Sequence, residues 1–459
     1  MNPYLGHIHF IAIGGSAMHN LAIALKNQGY QITGSDDDIF EPSRSRLNNN
    51  NLLPSEFGWF PQKITPKTKA VILGMHARED NPELIRAQKL GIRIYSFPDF
   101  IYQAKKNARR VVIAGSHGKT TITSMILHVL KQLGEDFDYL VGAGITGFDN
   151  MVKLSEAPLV ILEGDEYLSS TLDKTPKFIR YHHQIGLISG ISWDHINAFP
   201  TKEIYINQFE KFVLNTPDDG ILIYNEEDLI LHQMIKKSSL MFSVIPYKTP
   251  SYIVQSEKYF YKYGIDLIPL NIFGKHNMQN LAGAITVLRS LGYDQKIILH
   301  SLLNFTGASN RLEKIYDQNK LIIYNDFAHS PSKLKSTTEA IRELYPDRFI
   351  INCFELHTYS SLNKNFINEY QNTINQGDIN IVFVNDHTLK IKKMAYLENE
   401  VIQEGFGNRN LIIIRTSEDL VSFLSKNVKQ NIVLLMMTSG NFGGLNFKDL
   451  INRLEINLK

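Results

Sequence analysis

Short apolar runs alternate with amphipathic ones along nearly the whole chain. In "RRVVIAGSHGKTTITSMIL" (109–127), the run Val111 to Ala114 predicts a buried strand, Gly115 to Gly118 a turn, and the helical period opens at Lys119. Upstream, "IHFIAIGG" leads into "SAMHNLAIALKNQGY" and "QITGSD", and later come "AVILGM", the helical "NPELIRAQKLG" and the strand-like "IRIYSF". Downstream of residue 310 a new series runs through "KLIIYNDFA", "SPSKLKSTTEAIRELYP", "RFIINCFEL", "NIVFVN", "NLIIIR", "SEDLVSFLSKN" and "NIVLLMMTSG". Strands that alternate with helices in this way predict an α/β protein, its parallel sheets covered on both faces.

At 459 residues the chain is too long for one ordinary core, and a prior of roughly 150 residues per domain predicts about three. The basic stretch "QAKKNARR" suits a linker before Arg109, and Gly307, Ser309 and Asn310 supply turn chemistry for a second boundary. The domains expected are 1–108, 109–310 and 311–459, the first a Rossmann-like unit. With 43% hydrophobic and 20% charged residues the chain is a folded protein rather than a disordered one. A net charge of +2 gives no electrostatic footprint for nucleic acid or an anionic membrane. Cys353 is the sole cysteine; it excludes an intrachain disulfide and, set in an apolar run, reads as a buried structural thiol. The sequence has neither a basic leader nor an apolar run of membrane-spanning length, so a cytoplasmic protein is expected.

The segment Gly115-Ser-His-Gly-Lys-Thr-Thr121 departs from the full Walker pattern, yet it still offers backbone N–H groups at a helix start, with Lys119 as a point charge for terminal phosphates. A helix dipole contributes only about 0.3–1 kcal/mol, so a triphosphate also needs the lysine and a metal. "LVILEGDEY" ends an apolar strand in Glu163, Asp165 and Glu166, and "IGLISGISWDHINAF" ends in Asp194 and His195. Open α/β sheets bind ligands at such strand ends, and Mg²⁺ takes hard oxygen ligands. Taken alone, either cluster also reads as a strand-end cap. Asn277 and Asn280 share one face of a helix start, where amides serve either as caps or as readers of an adenine edge. Arg311, Asp326 and His329 lie near the start of the third series. The N-terminal "IGGSAMHN" is like a dinucleotide fingerprint with an imperfect third glycine, so NAD or the diphosphate of another nucleotide fits it.

Taken in order, "IGG" and "GSD", "GSHGKTT", "EGDEY", "WDH", "GKHNMQN" and "NDFAHSP" resemble the motifs of the Mur ligase family, ATP-dependent amide-forming enzymes of peptidoglycan metabolism, over essentially the whole chain. The resemblance implies a UDP-sugar-binding Rossmann-like N-terminal domain, a central P-loop ATPase domain and a Rossmann-like C-terminal domain that binds the acceptor. It implies ATP and Mg²⁺ as cofactors. Gly115, Ser116, His117, Gly118, Lys119, Thr120 and Thr121 would cradle ATP, Asn277 and Asn280 would face the adenine, and Arg311 and Asp326 would reach ATP from the third domain. Thr120, Glu163 and His195 would surround the metal, and Lys119, Glu163, His195, Arg311 and His329 would form the catalytic set. Gly14, Gly15, Ser35, Asp36, His76, Arg78 and Asn81 would hold the UDP-sugar.

Within the family the resemblance is to the UDP-N-acetylmuramate branch. "EGDEYLSSTLDKTPKF", "GSDDDIFEP" and "TSGNFGGL" favour the murein peptide ligases, whose acceptor is L-alanyl-gamma-D-glutamyl-meso-diaminopimelate, over the L-alanine ligases. The latter typically show a further glycine before Met18 and a second histidine where this chain has Ser330. The segments around His357 and Asn441 are candidate acceptor contacts. The alternatives are L-alanine as acceptor, an NAD-dependent oxidoreductase built on the N-terminal turn, and a nucleotide-binding protein without turnover.

Overall fold

The computed structural model describes residues 5–75, 77–145, 147–193, 198–307, 311–318 and 320–458. Of the residues singled out above, His76, Asp194, His195, Ser309 and Asn310 lie outside the described residues.

The first sheet is parallel, built from β1 (His7–Ile11), β2 (Gln31–Ser35), β3 (Thr68–Leu73) and β4 (Ile94–Ser96) in the order β2-β1-β3-β4. The helix Ser16–Asn27 follows β1 and buries Leu21, Ala22 and Leu25 in the core that Ile8 and Phe10 enter from the strand. Ala12, between strand and helix, has φ +66°, a left-handed conformation that costs a non-glycine residue energy. The sheet also buries polar groups in pairs: His9 meets Glu83 at 3.1 Å with both side chains fully buried, and Thr33 Oγ1 bridges His7 and His9.

The second sheet follows: β5 (Arg109–Ala114), β6 (Asp138–Leu140), β7 (Val152–Lys153), β8 (Leu159–Glu163), β9 (Ile185–Ile188), β10 (Ile221–Asn225) and β11 (Ser243–Tyr247). Their order is β11-β10-β9-β5-β8-β6-β7, parallel apart from β7. β5 lies between β8 and β9, and Val111 to Ala114 are fully buried. That explains the unbroken apolar run, since a central parallel strand has no solvated face. The carboxyl ends of β5, β8 and β9 therefore open side by side.

A three-stranded antiparallel sheet comes next, β12 (Tyr252–Gln255), β13 (Lys258–Tyr263) and β14 (Asp266–Leu270). The last sheet runs β15-β16-β20-β17-β18-β19, from β15 (Glu313–Gln318), β16 (Leu321–Asp326), β17 (Phe349–Leu356), β18 (Ile379–Val384), β19 (Ile412–Ile414) and β20 (Ile432–Met437), with only β15 antiparallel. Cys353 is fully buried in its core, where burial pushes the thiol pKa well up.

Two compact units emerge, 1–248 with 281–301, and 249–280 with 302–459. The three-stranded sheet groups with the last one for identifiable reasons. Tyr252 and Tyr259 stack at 5.4 Å and both hydroxyls donate to Glu343. Arg348 forks onto Glu257 at 2.7 and 2.9 Å. The division at residue 310 read from the sequence does not show this grouping.

Candidate active site

The turn after β5 is shaped by glycine. Gly115 has φ +126°, and a Cβ there would come within 2.1 Å of Ser189 Oγ, beyond the end of β9. Ser189 N donates to Ala114 O at 3.0 Å and Ser116 N to Gly190 O at 3.0 Å, so the segment after β9 buttresses the turn. Gly118, at φ +80°, is the N-cap of the helix Lys119–Gln132, and no side chain caps that terminus. A helix start of this kind presents N–H groups to an anion.

The carboxylates after β8 go to three different partners. Glu163 accepts from Thr120 Oγ1 at 2.7 Å through one oxygen and from Gly142 N at 2.7 Å through the other. Glu166, nearly fully buried, meets Lys119 Nζ at 2.7 Å and accepts from Tyr205 Oη at 3.1 Å. Asp165 meets Lys177 Nζ at 2.6 Å. Tyr205 Oη also lies 2.8 Å from Ser116 Oγ, which closes a network from the turn to the lysine. Lys119 donates to Gly115 O as well, at 2.5 Å. Burial works against its charge, but the Glu166 carboxylate, with Asp165 and Glu163 beyond, outweighs it and holds the ammonium pKa above its ordinary value. Tyr205 and Glu166 carried no signal of this role in the sequence, beyond the position of Glu166 in an acidic triplet.

Thr120 and Glu163 supply adjacent hard oxygens, a donor set that fits Mg²⁺ when water and phosphate complete its shell. Among the described residues no group of three or more His, Cys, Asp or Glu side chains is arranged to hold a metal ion. Lys119, Glu163, Asp165 and Lys177 line a cavity of about 370 Å³ whose other wall includes Gly15 and Asn20 at the start of the first helix.

The remaining first-domain candidates are dispersed. Gly14 N donates to Asp36 Oδ2 at 2.7 Å. Burial raises the pKa of Asp36 to about 6, the Gly14 N–H opposes this, and neighbouring Asp37 adds to it. Ser35 Oγ accepts from Lys63 at 3.2 Å. Arg78 forks onto Asp80 at the surface, and Asn81 caps the helix Pro82–Lys89 by accepting from Glu83 N and Leu84 N. These contacts give Arg78 and Asn81 local structural work, and neither joins the cavity lining.

In the second unit, Asn277 donates to Phe273 O at 2.9 Å and Asn280 to Asn277 Oδ1 at 3.2 Å. Asp326 accepts from Leu312 N at 3.0 Å and from Thr337 Oγ1 at 2.7 Å, so both of its oxygens are engaged. The Arg311 guanidinium stacks over Phe327 at 4.9 Å, and His329 Nδ1 lies 3.0 Å from Phe327 O.

Against known families, residues 7–109 match the Mur ligase family catalytic domain and residues 113–288 the Mur ligase middle domain. A UDP-N-acetylmuramate–L-alanine ligase of Sulfurihydrogenibium sp. is 30% identical over 444 residues, 95% of both chains. The chain belongs to the Mur ligase family. Two solved structures share the fold: UDP-N-acetylmuramate-alanine ligase from Thermotoga maritima, with TM-score 0.70, 20% identity and coverage of 98% and 99%, and a murein peptide ligase from Psychrobacter arcticus, with TM-score 0.66, 21% identity and 98% of each chain. The architecture is the Rossmann-like, P-loop ATPase and Rossmann-like series of Mur ligases. The protein is an ATP- and Mg²⁺-dependent ligase that forms C–N bonds.

Membership bears on two readings of the sequence. The oxidoreductase alternative for the N-terminal turn falls, because residues 7–109 match the Mur ligase family catalytic domain. The preference for murein peptide ligases over L-alanine ligases is not supported by the sequence relative above. Among the described residues, no helix is long and apolar enough to cross a membrane.

Proposed function

We propose that this Mur ligase joins UDP-N-acetylmuramate to L-alanine through an acyl phosphate. The observation that supports it best is the convergence of Lys119, which opens the helix after the glycine turn, with Glu163 on one cavity, together with full-length similarity to an enzyme of that name. A free carboxylate repels an amine and lacks a leaving group. In the first step the sugar's carboxylate oxygen attacks the γ-phosphorus of ATP, the bond to the β-phosphate oxygen breaks, and ADP leaves. In the second the acceptor nitrogen attacks the acyl carbon, loses a proton, and inorganic phosphate departs to leave the amide.

Lys119 would neutralise charge on the transferred phosphoryl group, the main catalytic task in such reactions. Thr120 and Glu163, with His195, would hold Mg²⁺, which when bound neutralises phosphate charge. Gly115 to Thr121 would cradle the phosphates, and Asn277, Asn280, Arg311 and Asp326 would contact ATP. His329 completes the proposed catalytic set. Gly14, Gly15, Ser35 and Asp36 would bind the sugar nucleotide across domain 1–108, and its remote uridine end supplies binding energy that can be used for alignment.

A second reading takes L-alanyl-gamma-D-glutamyl-meso-diaminopimelate as acceptor. Ser330 favours it, standing where the L-alanine ligases typically carry a second histidine. The test is phosphate release with ATP, Mg²⁺ and UDP-N-acetylmuramate across an acceptor panel. The proposal expects L-alanine to give the higher kcat/KM, a preference for the tripeptide transfers the assignment to the second reading, and release without any acceptor requirement removes both.

A further inference from the structure

The segment after β8 does more than deliver three carboxylates. It folds back on itself: Ser169 N donates to Thr175 O at 3.0 Å, Lys177 N to Tyr167 O at 2.9 Å and Phe178 N to Asp165 O at 3.1 Å. The return brings Lys177 beside Asp165, with Nζ 2.6 Å from Oδ2. Both residues line the cavity that Lys119 and Glu163 line. Lys177 is only 17% exposed, whereas 41% of the Asp165 side chain remains open. An ammonium has three N–H donors. Asp165 is the one hydrogen-bond acceptor of Lys177 Nζ among the described residues, and the Tyr167 ring lies 6.0 Å away.

The chemistry of the site calls for a cation beside the acid substrate in addition to the charges proposed for the phosphates. Two anions must come within about 3–3.5 Å for reaction, and like unit charges 4 Å apart repel by about 4 kcal/mol at an effective dielectric near 20. Lys119 opens the helix after the proposed phosphate turn, and Gly115 O and Glu166 already take two of its donors.

We propose that Lys177 binds the carboxylate of the acid substrate, its ammonium bridging that group and Asp165, so that Asp165 is a positioning residue and Lys177 the residue that selects a carboxylated sugar nucleotide. The inference rests on the reading of UDP-N-acetylmuramate as substrate. Its test compares two ligands by calorimetry, UDP-N-acetylmuramate and UDP-N-acetylglucosamine, which lacks the carboxyl-bearing ether. Lys177→Met is expected to weaken the first about tenfold or more, the range of a hydrogen bond to a charged group, and the second less than about twofold. Retained binding of the second ligand shows that the variant is folded. Lys177→Arg is expected to recover part of the loss, and Asp165→Asn to raise KM for UDP-N-acetylmuramate while leaving KM for ATP near its original value. Equal losses for both ligands, or none for either, overturn the assignment of Lys177. A wild-type protein that releases no phosphate with UDP-N-acetylmuramate and any acceptor overturns the functional reading instead, so the two failures are distinct.

Discussion

Three acidic residues within four positions are chemically alike in the sequence, and their different uses depend on where the backbone aims them. Glu163 faces Thr120, Asp165 faces Lys177, and Glu166 turns inward to Lys119 and Tyr205. Composition and spacing located the cluster but could not divide it, because the partners Lys177 and Tyr205 are 12 and 39 positions away along the chain. Removing the lysine charge by Lys119→Ala is expected to lower kcat about a hundredfold to a thousandfold, the scale of one lost preorganised donor. Steady-state phosphate release measures this, and near-normal turnover would take the lysine out of the mechanism. Tyr205→Phe tests the support behind it. The variant leaves the buried Glu166 short of one donor, and a stability loss of about 1–3 kcal/mol is expected in thermal denaturation.

At the level of elements, the parallel strands were legible because burial on both faces demands unbroken apolar runs, as in Val111 to Ala114 and Ile432 to Met437. The glycine turn was legible too, since φ +126° at Gly115 and the nearby Ser189 leave no space for a side chain. Gly115→Ala therefore combines a strained backbone with a clash against a fixed loop. A stability loss on the order of 3 kcal/mol is expected, read as a lower denaturation midpoint together with lost nucleotide binding. An unchanged midpoint would mean that the segment after β9 is free to move aside. The three-stranded sheet was not legible. Its first hairpin turns on Ser256 and Glu257 with φ +52° and +56°, a geometry usually marked by Asn-Gly or Asp-Gly. Here tertiary anchors, Glu257 to Arg348 and the tyrosine pair to Glu343, replace that local preference.

Over the whole molecule, burial sets up opposing pH dependences that no residue count reveals. It lowers the pKa of His7, His19, His128, His182 and His276, and takes His183, stacked on Phe212, down to about 3. Each of these histidines takes up a proton less readily in the folded chain than in the unfolded one, which binds protons below 6.5. Their contribution is thus present above that pH and is lost as the pH falls. Asp36 acts in reverse: its raised pKa, about 6 against 3.8 when unfolded, gives stability that is present in acid and lost as the pH rises through 6. Between those limits Asp36 offsets a single histidine, because each fully shifted group contributes about 1.4 kcal/mol per pH unit. The remaining histidines decide the sign, so the urea midpoint is expected to fall on going from pH 7 to pH 5. Asp36→Asn keeps an acceptor for Gly14 N but removes the opposing titration, so its decline over the same interval is expected to be steeper by up to about 1.4 kcal/mol per unit. A variant whose midpoint tracks the wild type at both pH values would show that Asp36 ionises in the folded protein as it does in the unfolded chain.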